Sequence, residues 1–292
     1  MEIKLAENMG FCFGVKRAIG IARQVRRETK ENVWTLGHII HNPQVVRKLE
    51  EEGIVAVDNL SKIDTGYVVI RSHGVHPEIL NKIREKNLKV VDATCPLVKK
   101  AQERAKQLVS EGYETCIIGE REHPEVISIV GETEGKARVI DSTDDLEIKD
   151  NKVGLVVQTT QSQDNLNKVV DYLLPRVLEI KVFNTICDVT SKRQKEVEKL
   201  AKKSDVVIII GGKRSANTSR LAGIAREVGC ITYHIEEAKE IKEKWFTDVN
   251  RVSIASGAST PDWIIEDVVK KLKEINVSKE EVLHERRVKF YN

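Results

Sequence analysis

The sequence predicts an α/β protein made of similar lobes, each with a small, mostly parallel sheet. Short apolar runs alternate along the 292 residues with segments of helical periodicity, a pattern typical of strand–helix–strand units. Three solitary cysteines, Cys12, Cys95 and Cys187, recur at intervals of 83 and 92 residues. The last two have matching surroundings, with a lysine five positions and a glutamine seven positions further on. This repeat indicates two or three lobes, each presenting one thiol.

Each predicted strand is a short apolar run followed by a polar loop, the place where a parallel sheet binds its ligands. Two segments, 99–109 and 191–202, have the 3.6-residue spacing of amphipathic helices. In chain order, the predicted strands are residues 3–6, 33–36, 68–70, 115–118, 153–157, 206–210 and 252–255.

Proline placement predicts where several helices begin. Five of the six prolines directly follow a residue of these polar motifs, and proline fits the first turn of a helix because its missing N–H has no partner there. Several helix N-termini meeting at one cavity would favour an anion. The five are Pro43, Pro77, Pro96, Pro124 and Pro261.

The chain is long enough for three lobes and a sizeable core. We place the lobe boundaries near the second and third of the solitary cysteines, and we assign the N-terminal strand to the last lobe. The expected lobes are residues 13–94, residues 95–185, and residues 186–278 together with 1–12, followed by a charged C-terminal tail at 279–292.

The charge is nearly balanced, since 48 basic and 45 acidic residues give a net charge of +3 and a pI of about 8.4. Aromatic residues make up only 4% of the chain, and no basic stripe carries interleaved aromatics, so we expect no nucleic-acid partner. The longest apolar run, residues 206–210, is too short to span a bilayer, and the first residues lack a secretion signal. We expect a cytoplasmic monomer without a membrane partner.

Three thiols meeting at one point would make a soft-metal site with one ligand position left open. Zinc with three cysteines and a water is the alternative to an iron–sulfur cluster bound by three thiolates. The odd total of five cysteines argues against a disulfide framework. Cys116 and Cys230 lie in strand-like stretches, and we interpret both as small buried hydrophobes.

Three histidines, His41, His73 and His123, each end a strand–loop unit. Histidine can donate hydrogen bonds to phosphate oxygens without a fixed charge, so we expect these three to contact a ligand. Glu125 follows at the start of a predicted helix. It either stabilises the helix dipole or transfers protons at the edge of a cavity.

Two further loops have the composition of anion-binding loops. Ser215-Ala216-Asn217 and Ser259 offer hydroxyls, an amide and backbone N–H groups. The chain lacks a P-loop, and the spacing of Gly10 and Gly14 does not match a dinucleotide fingerprint. Nucleotide binding is therefore disfavoured.

Several short motifs occur in a fixed order along nearly the whole chain. They are Gly10-Phe11-Cys12-Phe13-Gly14-Val15, His41-Asn42, Arg71-Ser72-His73-Gly74, Asp92-Ala93-Thr94-Cys95-Pro96, His123-Pro124-Glu125, Gln158-Thr159-Thr160, Ile186-Cys187, Ser215-Ala216-Asn217 and Gly257-Ala258-Ser259-Thr260-Pro261-Asp262. With these motifs the chain resembles the 4-hydroxy-3-methylbut-2-enyl diphosphate reductase (IspH/LytB) family, because their order, spacing and residue types all agree.

The resemblance implies three lobes in a pseudo-threefold arrangement around a central [4Fe–4S] cluster, which becomes [3Fe–4S] after oxidation. Cys12, Cys95 and Cys187 would hold three irons, and the fourth would bind the allylic oxygen of the substrate. Glu125 matches the acid that protonates the departing hydroxyl, and Thr159 matches a residue beside that hydroxyl. The positions that match contacts to the diphosphate are His41, His73, Ser215, Asn217 and Ser259, with His123 nearby and with Ala216, where some relatives carry serine, contributing its backbone N–H.

The implied reaction is a reductive dehydroxylation that yields isopentenyl and dimethylallyl diphosphates, the last step of the methylerythritol phosphate route. Its electrons would come from ferredoxin or flavodoxin, because no flavin or nicotinamide motif is present. Two other classes stay open at this point: a hydratase or dehydratase that uses the same open metal position, and a non-catalytic cluster sensor or nucleic-acid binder.

Overall fold

Three four-stranded parallel sheets frame the chain in the computed structural model, which describes residues 1–290 and, among them, the side chains of 1–144 and 146–276. The strands are β1 (Glu2–Leu5), β2 (Val33–Leu36), β3 (Ile54–Val57), β4 (Tyr67–Ile70), β5 (Lys89–Asp92), β6 (Glu114–Ile118), β7 (Arg138–Ile140), β8 (Lys152–Val157), β9 (Glu179–Phe183), β10 (Val206–Ile210), β11 (Ile231–Ile235) and β12 (Arg251–Ser256). The helices are α1 (Phe13–Glu28), α2 (Pro43–Glu51), α3 (Pro77–Glu85), α4 (Pro96–Ser110), α5 (Pro124–Glu132), α6 (Gln163–Leu173), α7 (Asp188–Ala201), α8 (Ala216–Glu227) and α9 (Asp262–Phe290).

The described chain divides into two compact units. The cysteine unit comprises Cys12–Ser191, and the terminal unit comprises Met1–Phe11 together with the described residues from Lys192 onward. The cysteine unit contains two sheets, with strand orders β3-β2-β4-β5 and β7-β6-β8-β9. The terminal unit contains the third sheet, with strand order β1-β12-β10-β11.

All three sheets follow one plan. In each, two inner strands lead through a polar loop into a helix, and one edge strand pairs with each inner strand. Strand β1 pairs with β12 and takes the edge position that β5 and β9 hold in the other two sheets. Since every pairing is parallel, the loops after the inner strands of a sheet leave from the same edge.

The inner strands other than β2 bury side chains on both faces, as expected for a sheet covered by helices on each side. In β10, Val206, Ile208 and Ile210 join one apolar cluster, whereas Val207 and Ile209 join the cluster on the opposite face. All five side chains are fully buried. Burial of each such side chain stabilises the fold by roughly 1.5–3 kcal/mol, so the inner strands hold the loop positions firmly.

Four of the five prolines that were expected to start helices do so. Pro43, Pro77, Pro96 and Pro124 are the first residues of α2, α3, α4 and α5. Pro261 directly precedes α9. The loops at the carboxyl edges therefore run straight into helix N-termini, which places partial positive charge beside the motif residues.

Helix α9 is the longest one described, with 29 residues. It includes the expected tail at 279–292 as far as Phe290, and the last two residues lie outside the described range. Among the described residues, no helix combines the length and the apolar composition that crossing a membrane requires.

Candidate active site

Each of the three solitary cysteines directly precedes a helix. The backbone oxygens of Cys12, Cys95 and Cys187 accept the first helical hydrogen bonds of α1, α4 and α7, at 2.9, 3.0 and 2.9 Å. The N–H of Val15 also points at Cys12 Sγ, 3.4 Å away. A helix N-terminus stabilises a thiolate, so all three positions suit a negatively charged sulfur ligand.

The three thiols share one neighbourhood within the cysteine unit. A methyl group at Gly14 would lie 2.7 Å from Cys95 Sγ and 3.9 Å from Cys12 Sγ. Burial raises the pKa of the Cys95 thiol, and the Cys12 and Cys187 thiols raise it further, because negative charges close together oppose each other's ionisation. The structure thus brings together the three cysteines that the sequence singled out.

The other two cysteines differ from each other. Cys116 lies in β6 and is fully buried, as expected. For Cys230 the expectation of full burial was wrong: it is half-buried, and its thiol donates to the backbone oxygen of Ser204 at 3.3 Å. It precedes the edge strand β11, which has only one neighbouring strand to cover it.

His41, His73 and His123 form a tight cluster in the cysteine unit. The ring centroid of His41 lies 4.9 Å from that of His73 and 6.0 Å from that of His123, and the His73 and His123 centroids are 5.3 Å apart. They follow β2, β4 and β6, so the shared strand plan brings them together. One ring nitrogen of each lies within 4.8 Å of the others, close enough to hold a metal ion or an anion between them.

Two of the three rings, those of His73 and His123, are neutral near pH 7. Burial lowers the pKa of His123 to about 3, and it lowers the pKa of His73 well below the usual range. His123 Nδ1 accepts the N–H of Glu125 at 3.1 Å, so its proton resides on Nε2, which is a donor. His73 Nδ1 is buried without a hydrogen-bond partner. Neutral rings of this kind can donate to phosphate oxygens.

Glu125 is only 1% exposed and is held by Thr159. The backbone N–H of Thr159 donates to one carboxylate oxygen at 2.6 Å, and its hydroxyl donates to the other at 2.7 Å. Burial raises the pKa of Glu125 to about 7, although the two bonds from Thr159 oppose the rise. A carboxyl group of this kind exists in both protonation states near pH 7, which suits proton transfer better than a role in the helix dipole.

Ser128 and Gln102 are site neighbours that the sequence alone did not identify as such. The Ser128 hydroxyl lies 2.7 Å from the backbone oxygen of Glu125 and 3.0 Å from that of His73. Gln102 donates to this hydroxyl at 3.1 Å. The lysine–glutamine repeat around the cysteines contained Gln102, but spacing along the chain does not reveal its partner.

The backbone also links the acid to a cysteine. The N–H of Cys187 donates to the backbone oxygen of Thr159 at 2.9 Å, and Thr159 holds the carboxylate of Glu125. The acid and one proposed metal ligand are therefore two hydrogen-bonding steps apart in the cysteine unit.

The terminal unit holds the other four candidate residues. Ser215 caps α8 and accepts the N–H of Thr218 at 3.4 Å, and Ala216 is the first helical residue. Both polar atoms of the Asn217 amide and the hydroxyl of Ser259 are buried without a hydrogen-bond partner. A buried polar group costs free energy unless it finds a partner, so a polar ligand that forms hydrogen bonds with these atoms would be stabilised there.

Two glycines let these loops of the terminal unit pack closely. A methyl group at Gly257 would lie 1.9 Å from the hydroxyl oxygen of Thr218, and one at Gly211 would lie 2.6 Å from that of Thr260. The N–H of Gly257 and the hydroxyl of Thr260 both donate to Ile210 O at 2.8 Å. The loop that carries Ser259 is thus tied to the end of β10, from which the Ser215 loop departs.

A buried acid of raised pKa beside a cluster of neutral histidines, at the carboxyl edges of parallel sheets, defines an α/β enzyme. The chain belongs to the LytB family, since the family model described as "LytB protein" matches residues 3–273.

The curated relatives are similar along nearly their whole length. A protein of Aquifex aeolicus named "4-hydroxy-3-methylbut-2-enyl diphosphate reductase" is 47% identical over 280 residues, which cover 94% of this chain and 97% of that protein. A protein of the same name from Citrifermentans bemidjiense is 48% identical over 282 residues, which cover 96% and 99%.

Two solved structures share the fold. One, titled "Structure of (E)-4-Hydroxy-3-methyl-but-2-enyl Diphosphate Reductase, the Terminal Enzyme of the Non-Mevalonate Pathway", is 47% identical with a TM-score of 0.69 and covers 94% of this chain and 100% of its own. The other, the "E-1-hydroxy-2-methyl-but-2-enyl-4-diphosphate reductase from Plasmodium falciparum", is 28% identical with a TM-score of 0.86 and covers 94% and 87%. The predicted α/β class with parallel sheets is confirmed.

Proposed function

We propose that the chain is an oxidoreductase that converts (E)-4-hydroxy-3-methylbut-2-enyl diphosphate into isopentenyl and dimethylallyl diphosphates. Two electrons and two protons enter, the carbon–oxygen bond breaks, and water leaves. The observation that carries the proposal is the Glu125 carboxyl, which is buried, is held by Thr159 and lies in the same unit as the three thiols. The names of the curated relatives support the choice of substrate.

The thiol set fits an iron–sulfur cluster. Three soft sulfur ligands at helix N-termini favour a thiophilic centre of this kind, and Gly14 leaves the space that Cys95 Sγ occupies. We propose that Cys12, Cys95 and Cys187 hold a [4Fe–4S] cluster, or [3Fe–4S] after oxidation. When bound, the cluster supplies Lewis-acid and electron-transfer chemistry.

The histidines are proposed to bind the diphosphate. His41, His73 and His123 are grouped, and burial holds the pKa values of the last two low enough to keep them neutral. Neutral donors orient an anion, and the binding free energy from this remote group contributes to the reaction at the distant carbon. The four remaining proposed diphosphate ligands, which lie in the terminal unit, are Ser215, Ala216 through its N–H, Asn217 and Ser259.

Glu125 is the proposed proton donor. Hydroxide is a poor leaving group, so a proton must arrive as the carbon–oxygen bond breaks. The hydroxyl and the N–H of Thr159 fix both carboxyl oxygens, and thus Thr159 orients the acid while the burial of both residues excludes water. His123 holds the first turn of α5 through its bond to the Glu125 N–H.

The proposed partners are the diphosphate substrate and an external electron donor, ferredoxin or flavodoxin. The protein is proposed to act as a monomer in the cytoplasm, without a nucleic-acid or membrane partner.

An anaerobic assay with the hydroxylated diphosphate tests the function. With a chemical reductant we expect isopentenyl and dimethylallyl diphosphates, and without it we expect no turnover. A hydrated or dehydrated product that forms equally well without reductant would replace the reductase with a hydratase or dehydratase.

A further inference from the structure

Arg71 carries a half-buried positive charge beside the histidine cluster. It follows β4 and lies two residues before His73. Its guanidinium packs against Gly37, where a methyl group would lie 2.7 Å from Arg71 Nη1. Gly37 has a φ of +70°, which glycine adopts without strain, and it starts the loop that leads to His41. The guanidinium therefore lies between the loops that carry His41 and His73.

The side chains that the structure describes offer this charge no counter-charge. Among the residues whose side chains the structure describes, no carboxylate pairs with Arg71, and its Nε is buried without a hydrogen-bond partner. Burial is the cause that lowers the pKa of Arg71. A charge that is partly withdrawn from water is normally paired, so a guanidinium without a carboxylate partner indicates that an anion from outside belongs here.

The field of Arg71 reaches the histidines. The positive charge of Arg71 adds to burial and to the neighbouring rings in lowering the pKa values of His73 and His123. A cation in this place disfavours a metal ion between the rings and favours an anion. Arginine suits the task because it stays charged at every physiological pH.

We propose that Arg71 is a positioning residue of the anion site. It supplies a fixed positive charge beside the three clustered histidines and so selects a polyanion such as a diphosphate. The histidines orient the ligand through hydrogen bonds, and the positive charge of Arg71 attracts the negative charge of the ligand without a direct bond. The inference rests on the proposed function only in taking a diphosphate as the anion.

Arg121 is a natural control. It lies two residues before His123, just as Arg71 lies two residues before His73. However, Arg121 is exposed, and its guanidinium donates to the backbone oxygen of Val139 at 3.3 Å. The two arginines share their sequence context and differ in burial. Only Arg71 should therefore affect the affinity for an anion at the histidine cluster.

The test measures binding of inorganic pyrophosphate and orthophosphate to the anaerobic, cluster-loaded protein by calorimetry. We expect Arg71→Met to weaken pyrophosphate binding roughly 10- to 100-fold and to weaken orthophosphate binding less, because it carries less charge. Arg71→Lys, which keeps the charge, should stay within about threefold of the parent, well inside that range. Arg121→Met should bind as the parent does.

Two outcomes would overturn the proposal. In the first, Arg71→Met binds pyrophosphate as tightly as the parent does. In the second, the lysine and methionine variants lose affinity equally, which would mean that Arg71 acts only by packing against Gly37. If the methionine variant fails to load its cluster, Arg71→Gln takes its place in the same comparison. A parent that binds pyrophosphate but does not reduce the hydroxylated diphosphate would defeat the proposed function and leave this inference standing.

Discussion

The chemistry of Glu125 results from competition between burial and hydrogen bonding. Two bonds from Thr159 stabilise the carboxylate, yet burial outweighs them and raises the pKa of Glu125 to about 7. If the helix dipole were its main partner, the carboxylate would remain charged at the start of α5. At residue scale, the site therefore depends on one side chain that is not fully ionised at neutral pH.

Replacement of Glu125 by glutamine should remove the acid and preserve the shape. General acid catalysis contributes about 10²–10⁴-fold, and we expect Glu125→Gln to lose turnover by that factor under excess reductant, while it still binds the diphosphate. Glu122→Gln is the matched control, since Glu122 is an exposed residue of the loop that leads into α5. Turnover of Glu125→Gln within about threefold of the parent, far short of that general-acid range, would assign the proton to another group.

The raised pKa of Glu125 also predicts how stability depends on pH. The folded protein holds this proton up to about pH 7, against 4.5 in the unfolded chain. The contribution of the neutral carboxyl is fully present below pH 4.5 and is lost as the pH rises through 7. Relative to Glu125→Gln, the parent should therefore lose about 2–3 kcal/mol of unfolding free energy between pH 5 and pH 8. Denaturant unfolding of both proteins at both pH values measures this, and a constant difference would contradict the raised pKa.

Unpartnered polar atoms predict affinity in the terminal unit. A hydrogen bond to a charged group contributes roughly 1.5–3 kcal/mol, so we expect Asn217→Ala and Ser259→Ala each to weaken diphosphate binding roughly 10- to 150-fold. Ser219→Ala is the control, because Ser219 is exposed on the same helix and bonds to the Lys213 backbone. Unchanged affinity in both variants would remove these residues from the anion site.

At the scale of elements, the sequence predicted the inner strands and missed most of the edges. All six inner strands, the even-numbered ones from β2 to β12, coincide with predicted apolar runs because most of their side chains are apolar and buried. Edge strands such as β5 (Lys89–Asp92) and β9 (Glu179–Phe183) have no fully buried side chain and carry charged residues, so their apolar signal is weak. The N-terminal edge strand was expected at 3–6 and spans Glu2–Leu5.

Two glycines of α1 allow a paired test of the cysteine geometry. At Gly14 a methyl group would lie 2.7 Å from Cys95 Sγ, whereas at Gly20 it would meet nothing within 4 Å. We expect Gly14→Ala to impair cluster loading, which iron and sulfide content measure. Gly20→Ala should load normally and raise the unfolding free energy by roughly 0.5–1 kcal/mol, because alanine favours a helix interior. Equal cluster content in the two variants would show that the thiol has room elsewhere.

At the scale of the molecule, the sequence alone indicated that the three histidines and the three cysteines would each be grouped, but not how their side chains are oriented. The three histidines meet because each ends an equivalent strand, and a repeat of that kind is visible in the chain. The contact of Arg71 with Gly37 and the bonds of Thr159 to Glu125 depend on side-chain direction across distant segments. Spacing along the chain carries no information about those directions.

Removal of the cluster should destabilise the molecule, because the three cysteines lie 83 and 92 residues apart within one unit. A cross-link that closes a loop of about this length restricts the unfolded chain by up to about 4–5 kcal/mol. Since 1 kcal/mol shifts the unfolding temperature by about 2–4 °C at this size, we expect the anaerobic cluster-loaded protein to unfold at least about 5 °C above the stripped protein.

Hydrogen exchange should show where the loss of the cluster acts. The stripped protein should lose protection first at the N-termini of α1, α4 and α7, while the inner strands β6 and β8 keep theirs. Cys95→Ser should match the stripped protein, and Cys116→Ser should still load its cluster. Equal unfolding temperatures with and without the cluster would mean that the three thiols do not bind it together.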